Sequence, residues 1–373
     1  MNKATLVSQY AKILTEFPGN MKFCFAYGSG VMKQQSSDLS KNMLDLVFVV
    51  SDPSRWHKEN MLLNPEHYAQ LMRSLGANSV AKIQEKWGAH IFYNTLVRSK
   101  EGRLIKYGVT SDTALIEDLL DWNVLYLAGR LHKPVQVLVK PEEEESPLRR
   151  ALIQNLHSAV HATLILLPEH FTEPDFYKTI ANLSYNGDFR MTFGEDKNKV
   201  HNIVLPQIQN FRSLYNPVLK HFDRYVEIPK SDEPAVMCHQ DTSPFARIHH
   251  LNHLPRMPQV KLVRSWSQGP RSRDTEDCLR AIAHDPECSE ILEACLKDIV
   301  WKSSVSQSLK GIFTVGIVKS VKYGAAKVVK MMRAQESSEK TTPEVNASLT
   351  RSTLEKKTPF KNEETKDSTR RIQ

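Results

Sequence analysis

The 373-residue chain has no apolar run of the roughly eighteen residues that a membrane-spanning helix needs, so the sequence offers no transmembrane segment. Cysteine is scarce. There are five, an odd number with no CxxC pair, which speaks against a disulfide framework and predicts reduced, buried thiols in an intracellular compartment. The histidines near them lack the ligand spacing of a zinc site. No Walker lysine-serine pair and no complete GxGxxG is present, which sets aside P-loop and Rossmann readings, and no repeat recurs at solenoid periods. Acidic residues are the minority: 50 Lys and Arg against 42 Asp and Glu give a net charge of +8. That balance favours nucleotides, nucleic acid or anionic lipid headgroups without choosing among them. The N-terminal segment carries Lys3 and Lys12 and no acid before Glu16, as a mitochondrial targeting helix does, yet is poor in the arginine and serine typical of one.

What is present is an ordinary 40% of hydrophobic residues, enough for two compact domains. Helical spacing marks Leu6 to Leu14, ended by Pro18-Gly19; strands are expected at Met21 to Tyr27 and Met43 to Val50. A helical region from Asn60 to Glu85 precedes strands around His90 to Val97 and Arg103 to Val109. A helix from Asp112 to Trp122, capped by Ser111 or Asp112, leads to a short buried strand at Val135 to Val139. Glu142 to Glu145, between Pro141 and Pro147, reads as a linker. Beyond it helices are expected at Leu148 to Leu167, Asp175 to Leu183, Lys197 to Tyr215 and Asp277 to Ile299. Pro229 to Pro270 lacks a firm period and reads as irregular, and the Ser-, Thr- and Lys-rich stretch from about Gln335 as disordered. The predicted class is α+β, with limits 1–140, 147–230, 231–276, 277–334 and 335–373.

One feature carries chemistry. A strand ends in Tyr27-Gly28-Ser29-Gly30, and the next strand bears Asp45. Glycines let backbone amides approach phosphates, a serine hydroxyl can bond a phosphate oxygen, and a strand carboxylate can hold Mg²⁺ against them. A plain turn and an edge carboxylate would look the same. The arrangement resembles the nucleotidyltransferase superfamily, whose pattern is Gly-Ser followed by two acids separated by one apolar residue. Here Val47 occupies the second acid position.

Longer runs narrow the match. Phe25-Ala26-Tyr27-Gly28-Ser29-Gly30-Val31, Met43-Leu44-Asp45-Leu46-Val47-Phe48, Gly102-Arg103-Leu104-Ile105-Lys106-Tyr107-Gly108-Val109, Ala128-Gly129-Arg130-Leu131, Gly187-Asp188-Phe189-Arg190-Met191 and Lys310-Gly311-Ile312-Phe313-Thr314 lie in collinear order over about residues 20–320. They are similar to the mitochondrial phosphatidate cytidylyltransferase family. That resemblance implies condensation of CTP with phosphatidic acid to CDP-diacylglycerol and pyrophosphate, with Mg²⁺. It also implies peripheral, matrix-side association with the mitochondrial inner membrane upstream of cardiolipin, and a nucleotidyltransferase domain followed by a winged-helix-like, mainly helical one.

On this resemblance Tyr27, Gly28, Ser29 and Gly30 would cradle the CTP phosphates and Asp45 would ligate Mg²⁺. Lys106 would neutralise the triphosphate, unless it is a solvated strand-end lysine. Asp188 and Arg190, read as alternating on one side of an extended segment, would supply the missing carboxylate and a phosphate-binding guanidinium, unless they are a structural ion pair. His57 and His67 read as packing or capping residues. Asn60, Asn64 and Tyr68 would shape the nucleotide pocket or pack helices. Over Gly311 to Arg333 a basic amphipathic helix is predicted, suited to anionic membrane lipids or to docking on the protein itself. No nucleic-acid partner is expected. A nucleic-acid-directed nucleotidyltransferase, or a non-enzymatic assembly factor for the mitochondrial protein translocator, remains the alternative.

Overall fold

A computed structural model describes residues 3–32, 42–141, 145–193, 198–229, 236–266 and 274–315. The first helix, α1 (Lys3–Leu14), precedes β1 (Met21–Tyr27), and β2 (Leu44–Val50) follows the glycine turn. The helices α2 (Pro53–Leu63) and α3 (Gln70–Lys86) carry the chain across to β3 (Phe92–Arg98), which doubles back into β4 (Leu104–Ser111). Next come α4 (Asp112–Asp121), α5 (Leu127–Leu131) and β5 (Gln136–Val139). The five strands form one mixed sheet in the order β3-β4-β2-β1-β5, with β2 and β4 parallel and the other neighbours antiparallel. A parallel pair needs a long crossover, and α2, α3 and β3 supply it.

The rest is mainly helical: α6 (Pro147–Leu166), β6 (His170–Thr172), α7 (Glu173–Asn182), α8 (Phe189–Phe193), α9 (Lys199–Val204), α10 (Ile208–Leu219), β7 (Val226–Glu227), β8 (Met237–Gln240), α11 (Pro244–Asn252), α12 (Arg256–Trp266), α13 (Thr275–His284) and α14 (Cys288–Val315). A small sheet has the order β6-β8-β7. The five cysteines are buried.

Several elements differ from expectation, each for a local reason. The helical region after β2 begins earlier, at Pro53, because the Asp52 side chain accepts from Arg55 N at 3.0 Å and proline suits the first helical turn. It is also cut, by Pro65 after α2 and by a left-handed Gly76 within α3. β5 is half-buried rather than buried, since it lies at the sheet edge and pairs only with β1. The helix expected from Lys197 to Tyr215 breaks at a tight turn over Leu205–Gln207, which contains Pro206. The one expected from Asp277 to Ile299 is α13 and α14, parted around Asp285-Pro286. The stretch from Pro229 to Pro270 is not irregular throughout. It holds β8, α11 and α12, with Pro244 in the first turn of α11 behind the Ser243 cap, so proline starts a helix there instead of breaking one. Of the predicted amphipathic helix, residues 311–315 are the end of α14; residues 316–333 and the tail lie outside the described residues.

Each face of the large sheet has its own cover. Cys24, Ala26, Leu44, Leu46, Phe48, Ile105 and Tyr107 pack with Tyr10, Ile13 and Phe17 from α1 and its end, and with Trp56 from α2. On the opposite face Phe23, Phe25, Val47 and Val49 join a core that continues through Leu115, Leu119 and Trp122 into α6 and on to α14. The side chains of β2 are therefore buried on both faces, which its valine-rich sequence tolerates. Asp45 stands on the same face as Val47, turned toward the helical half.

Under the first face Tyr107 organises a buried polar network. Its hydroxyl accepts from Asn60 Nδ2 at 2.8 Å and from Asn94 Nδ2 at 2.8 Å, and meets His67 Nδ1 at 3.0 Å. His57 bridges Tyr68 and Gln84 at 2.8 and 3.0 Å, and burial pushes its imidazole down to about 4. These residues pack the fold on the side of the sheet away from Asp45. Tyr107→Phe should strand three buried partners at once and lower stability by about 1–3 kcal/mol. Urea unfolding should show a lower midpoint with an unchanged slope.

Candidate active site

Strand register builds the centre of the site. Tyr27 on β1 lies opposite Asp45 on β2, and Asp45 lies beside Lys106 on β4. Residues directly across neighbouring strands project to the same side, so the three form one row. Lys106 Nζ is 3.7 Å from Asp45 Oδ1 and 4.4 Å from the centre of the Tyr93 ring. The Tyr27 and Tyr93 hydroxyls are 3.4 Å apart.

The glycine turn closes over this row. Gly28 has φ +76°, a conformation that favours glycine, and a Cβ there would come within 3.4 Å of Asp45 Oδ2. At Gly30 a Cβ would stand 2.3 Å from the Met43 carbonyl oxygen, so that position cannot carry a side chain without shifting the backbone. Arg103 Nη2 donates to Gly30 O at 2.9 Å and Asn42 Nδ2 to Ser29 O at 3.1 Å, which fixes the half-buried turn from both sides.

A second group of side chains comes from the segment after α4, and Asp118 sets its shape. The Asp118 carboxylate accepts from the backbone N–H groups of Val124, Leu125, Tyr126, Leu127 and Ala128 at 2.7–3.2 Å. Burial pushes this carboxyl up, and the backbone bonds oppose the shift. The loop so fixed presents Tyr126 and Arg130. The Arg130 guanidinium lies 3.8 Å from the Tyr126 ring centre and 5.2 Å from that of Tyr27, and donates to Tyr126 O at 2.9 Å. One turn on, Lys133 donates to Gly129 O and, at 2.9 Å, to Ser184 Oγ, and it lies over the Tyr185 ring. Burial, with Arg130 and Lys199 nearby, pushes the Lys133 ammonium down to about 7.

Asp188 and Arg190 do meet, though not through extended alternation. Asp188 precedes α8 and accepts from the Arg190 backbone N–H at 2.9 Å, while the Arg190 side chain returns to it at 2.6 Å through Nη2 and 3.0 Å through Nε. This is the geometry of a helix start, where a carboxylate meets free N–H groups. Burial raises the Asp188 carboxyl, but Arg190 outweighs it and holds the carboxyl low. Burial likewise pushes the Tyr126 phenol up, yet Arg130, Arg190 and Lys106 together bring it down to about 8. That phenol reports an electropositive basin formed by a strand lysine, an α5 arginine and an α8 arginine. Val47, by contrast, is fully buried, so β2 offers one carboxylate and not two.

A family model described as phosphatidate cytidylyltransferase, mitochondrial, matches residues 10–330. The chain belongs to the mitochondrial phosphatidate cytidylyltransferase family. Relatives bearing that name include one from Danio rerio, 46% identical over 327 residues that cover 87% of this chain and 94% of the relative. Another, from Drosophila melanogaster, is 45% identical over 344 residues, covering 87% and 99%. The Homo sapiens protein is 45% identical over 309 residues, covering 82% and 67%. The resemblance read from the motifs is borne out.

Tyr93, Tyr126, Arg130 and Lys133 join this cluster in the structure, and the sequence alone does not mark them as site residues. A signal exists for two of them: Arg130 in α5 and Lys133 just past its end are basic residues three positions apart. Alkaline difference absorbance should resolve one tyrosine with a midpoint near 8. The signal should vanish in Tyr126→Phe and move upward by at least about one unit in Arg130→Met. Because the folded state releases this proton before the unfolded state does, the phenol contributes stability that grows as pH rises from about 8 to 10 and is absent below.

Proposed function

We propose that this chain transfers the cytidylyl group of CTP to phosphatidate, giving CDP-diacylglycerol and pyrophosphate. The observation that carries the reading is the row Tyr27, Asp45 and Lys106 beneath the Gly28–Gly30 turn, faced by Arg130 and Arg190. An oxygen of the phosphatidate phosphate attacks the α-phosphorus of CTP, the bond from that phosphorus to the bridging oxygen of the β-phosphate breaks, and pyrophosphate leaves with its electron pair. The attacking phosphate is already ionised, so the protein needs no general base. Its work is to position two polyanions and neutralise their charge.

Gly28, Ser29 and Gly30 bring backbone donors to the triphosphate, Tyr27 borders it, and Lys106 offsets its charge. Arg130 and Arg190 suit bidentate contact with the lipid phosphate. Asp45 fits a Mg²⁺ ligand, because one of its oxygens faces the space that a Cβ on Gly28 would enter. Asp188 would complete the set by sharing an oxygen now held by Arg190. Bound there, Mg²⁺ supplies charge neutralisation and aligns the phosphates.

In this reading 1–140 is the nucleotidyltransferase domain and 147–230 a winged-helix-like domain, for which the short sheet β6-β8-β7 beside helices speaks. The segment 231–276 connects it to 277–334, and 335–373 is a tail. The protein works as a peripheral protein on the matrix side of the mitochondrial inner membrane, supplying cardiolipin synthesis. No helix of the described residues is long and apolar enough to cross a membrane, and α14 ends with Leu309, Ile312 and Phe313 exposed. Beyond it the basic amphipathic pattern to Arg333 suits anionic lipids.

Purified protein given labelled CTP, Mg²⁺ and phosphatidate vesicles should form labelled CDP-diacylglycerol. Asp45→Ala should lower turnover by about a thousandfold and Lys106→Met by about a hundredfold. Label entering RNA and not lipid would sink the proposal in favour of a nucleic-acid-directed transferase, and no turnover with either would leave a non-enzymatic assembly factor. Ending the chain after Val315 spares the contact of Phe313 with Trp87. It should reduce activity on vesicles several-fold more than on detergent-dispersed lipid.

A further inference from the structure

The helical half gathers histidines that the phosphate chemistry does not use. His157 and His161 stand one turn apart on α6, and α11 with its end carries His249, His250 and His253. The two helices pack together, and their imidazoles meet. One ligand nitrogen from each of His161, His249 and His250 can be chosen so that all lie within 4.8 Å of one another. We propose that His161, His249 and His250 form a binding site for a divalent transition metal of the Zn²⁺ class, separate from the residues that handle phosphate.

The geometry is close to that of a nitrogen-ligated metal. His161 Nδ1 and His250 Nδ1 are 3.0 Å apart. Two imidazole nitrogens on a tetrahedral Zn²⁺ are separated by about 3.3 Å, given Zn–N distances near 2.0–2.1 Å. Only one proton fits between two such nitrogens, so at least one of them presents a bare lone pair to the other.

Burial supports the assignment. His161 and His250 are only 6% and 2% exposed, and Nε2 of His250 is buried with no hydrogen-bond partner among the described residues. A polar nitrogen left so is uncommon in a core; with Nδ1 on a metal it would carry the ring proton.

Aromatic contacts hold the ring planes. Tyr225 stacks on His249 at 4.4 Å between centres, and His253 stacks on His161 at 4.8 Å. His249 is half-buried, so a fourth position could open to water or another ligand on its side. A donor set of imidazoles suits Zn²⁺, Ni²⁺ or Cu²⁺ and not Mg²⁺, which demands oxygen, so this site would not compete for the metal of the phosphate chemistry. Its effect would be to tie α11 to α6, the helix against which α4, α7, α10 and α14 also pack.

The test uses the full chain, stripped with a chelator and titrated with Zn²⁺ against a chromophoric competitor. The expected result is one tight equivalent, lost in His161→Gln and in His250→Gln and kept in His239→Ala, with a rise in the thermal midpoint on adding Zn²⁺ to the wild type alone. The His239 variant controls for the exposed trio Glu169, His170 and His239, which could also collect a cation. No equivalent in the wild type, or one lost in His239→Ala and kept in the other two, overturns the proposal. Should the core variants fail to fold, X-ray absorption on the Zn²⁺-loaded wild type decides: a first shell with three imidazole nitrogens near 2.0 Å supports the site, and a shell of oxygens overturns it.

Discussion

The register between β1, β2 and β4 is the constraint on which the site depends. A shift of one residue in either pairing would turn Asp45, Tyr27 or Lys106 to the other face, since side chains alternate along a strand. What holds the register is burial on both faces of β2: Leu44, Leu46 and Phe48 pack on one side, Val47 and Val49 on the other, and a slip would exchange the two sets. The same burial explains Val47. A carboxylate there would sit fully enclosed against Phe25 and the helical core, where an unpaired charge is costly. The departure from the superfamily pattern is thus matched by its surroundings.

The polar groups divide by face. Beneath the sheet, on the side of α1 and α2, the Tyr107 network is buried and hydrogen-bonded, and stiffens the strand that carries Lys106. Above it, charges gather: Lys106, Arg130 and Arg190 converge strongly enough to draw down the Tyr126 phenol despite its burial. Asp118 links the two roles. A buried carboxylate satisfied entirely by backbone N–H groups fixes the loop from which Tyr126 and Arg130 reach the row.

Much of the first 140 residues was legible in the sequence because each element carries a strong local signal. β1 and β2 read from short apolar runs, valine-rich in β2, and α4 from the Ser111 cap, which accepts from Ala114 N. Legibility fell where proline had two meanings. In 229–270 it suggested irregularity, whereas Pro244 begins a helix behind a serine cap, and local composition cannot distinguish the two without the contacts that stabilise the helix.

By itself the sequence determined the strands of the large sheet, the glycine turn, the single acid at Asp45 and the family, because these rest on local propensity and on collinear runs of residues. Tertiary structure alone decided which charges act together. Asp45 and Lys106 are 61 positions apart and meet through a parallel pairing; Arg130 reaches Tyr27 only because Asp118 folds the intervening loop; His161 and His250 meet only because α11 packs on α6. Spacing along a chain constrains neighbours one turn or one strand away. Contacts between distant elements are set by which apolar faces are buried together, and that is a property of the whole fold.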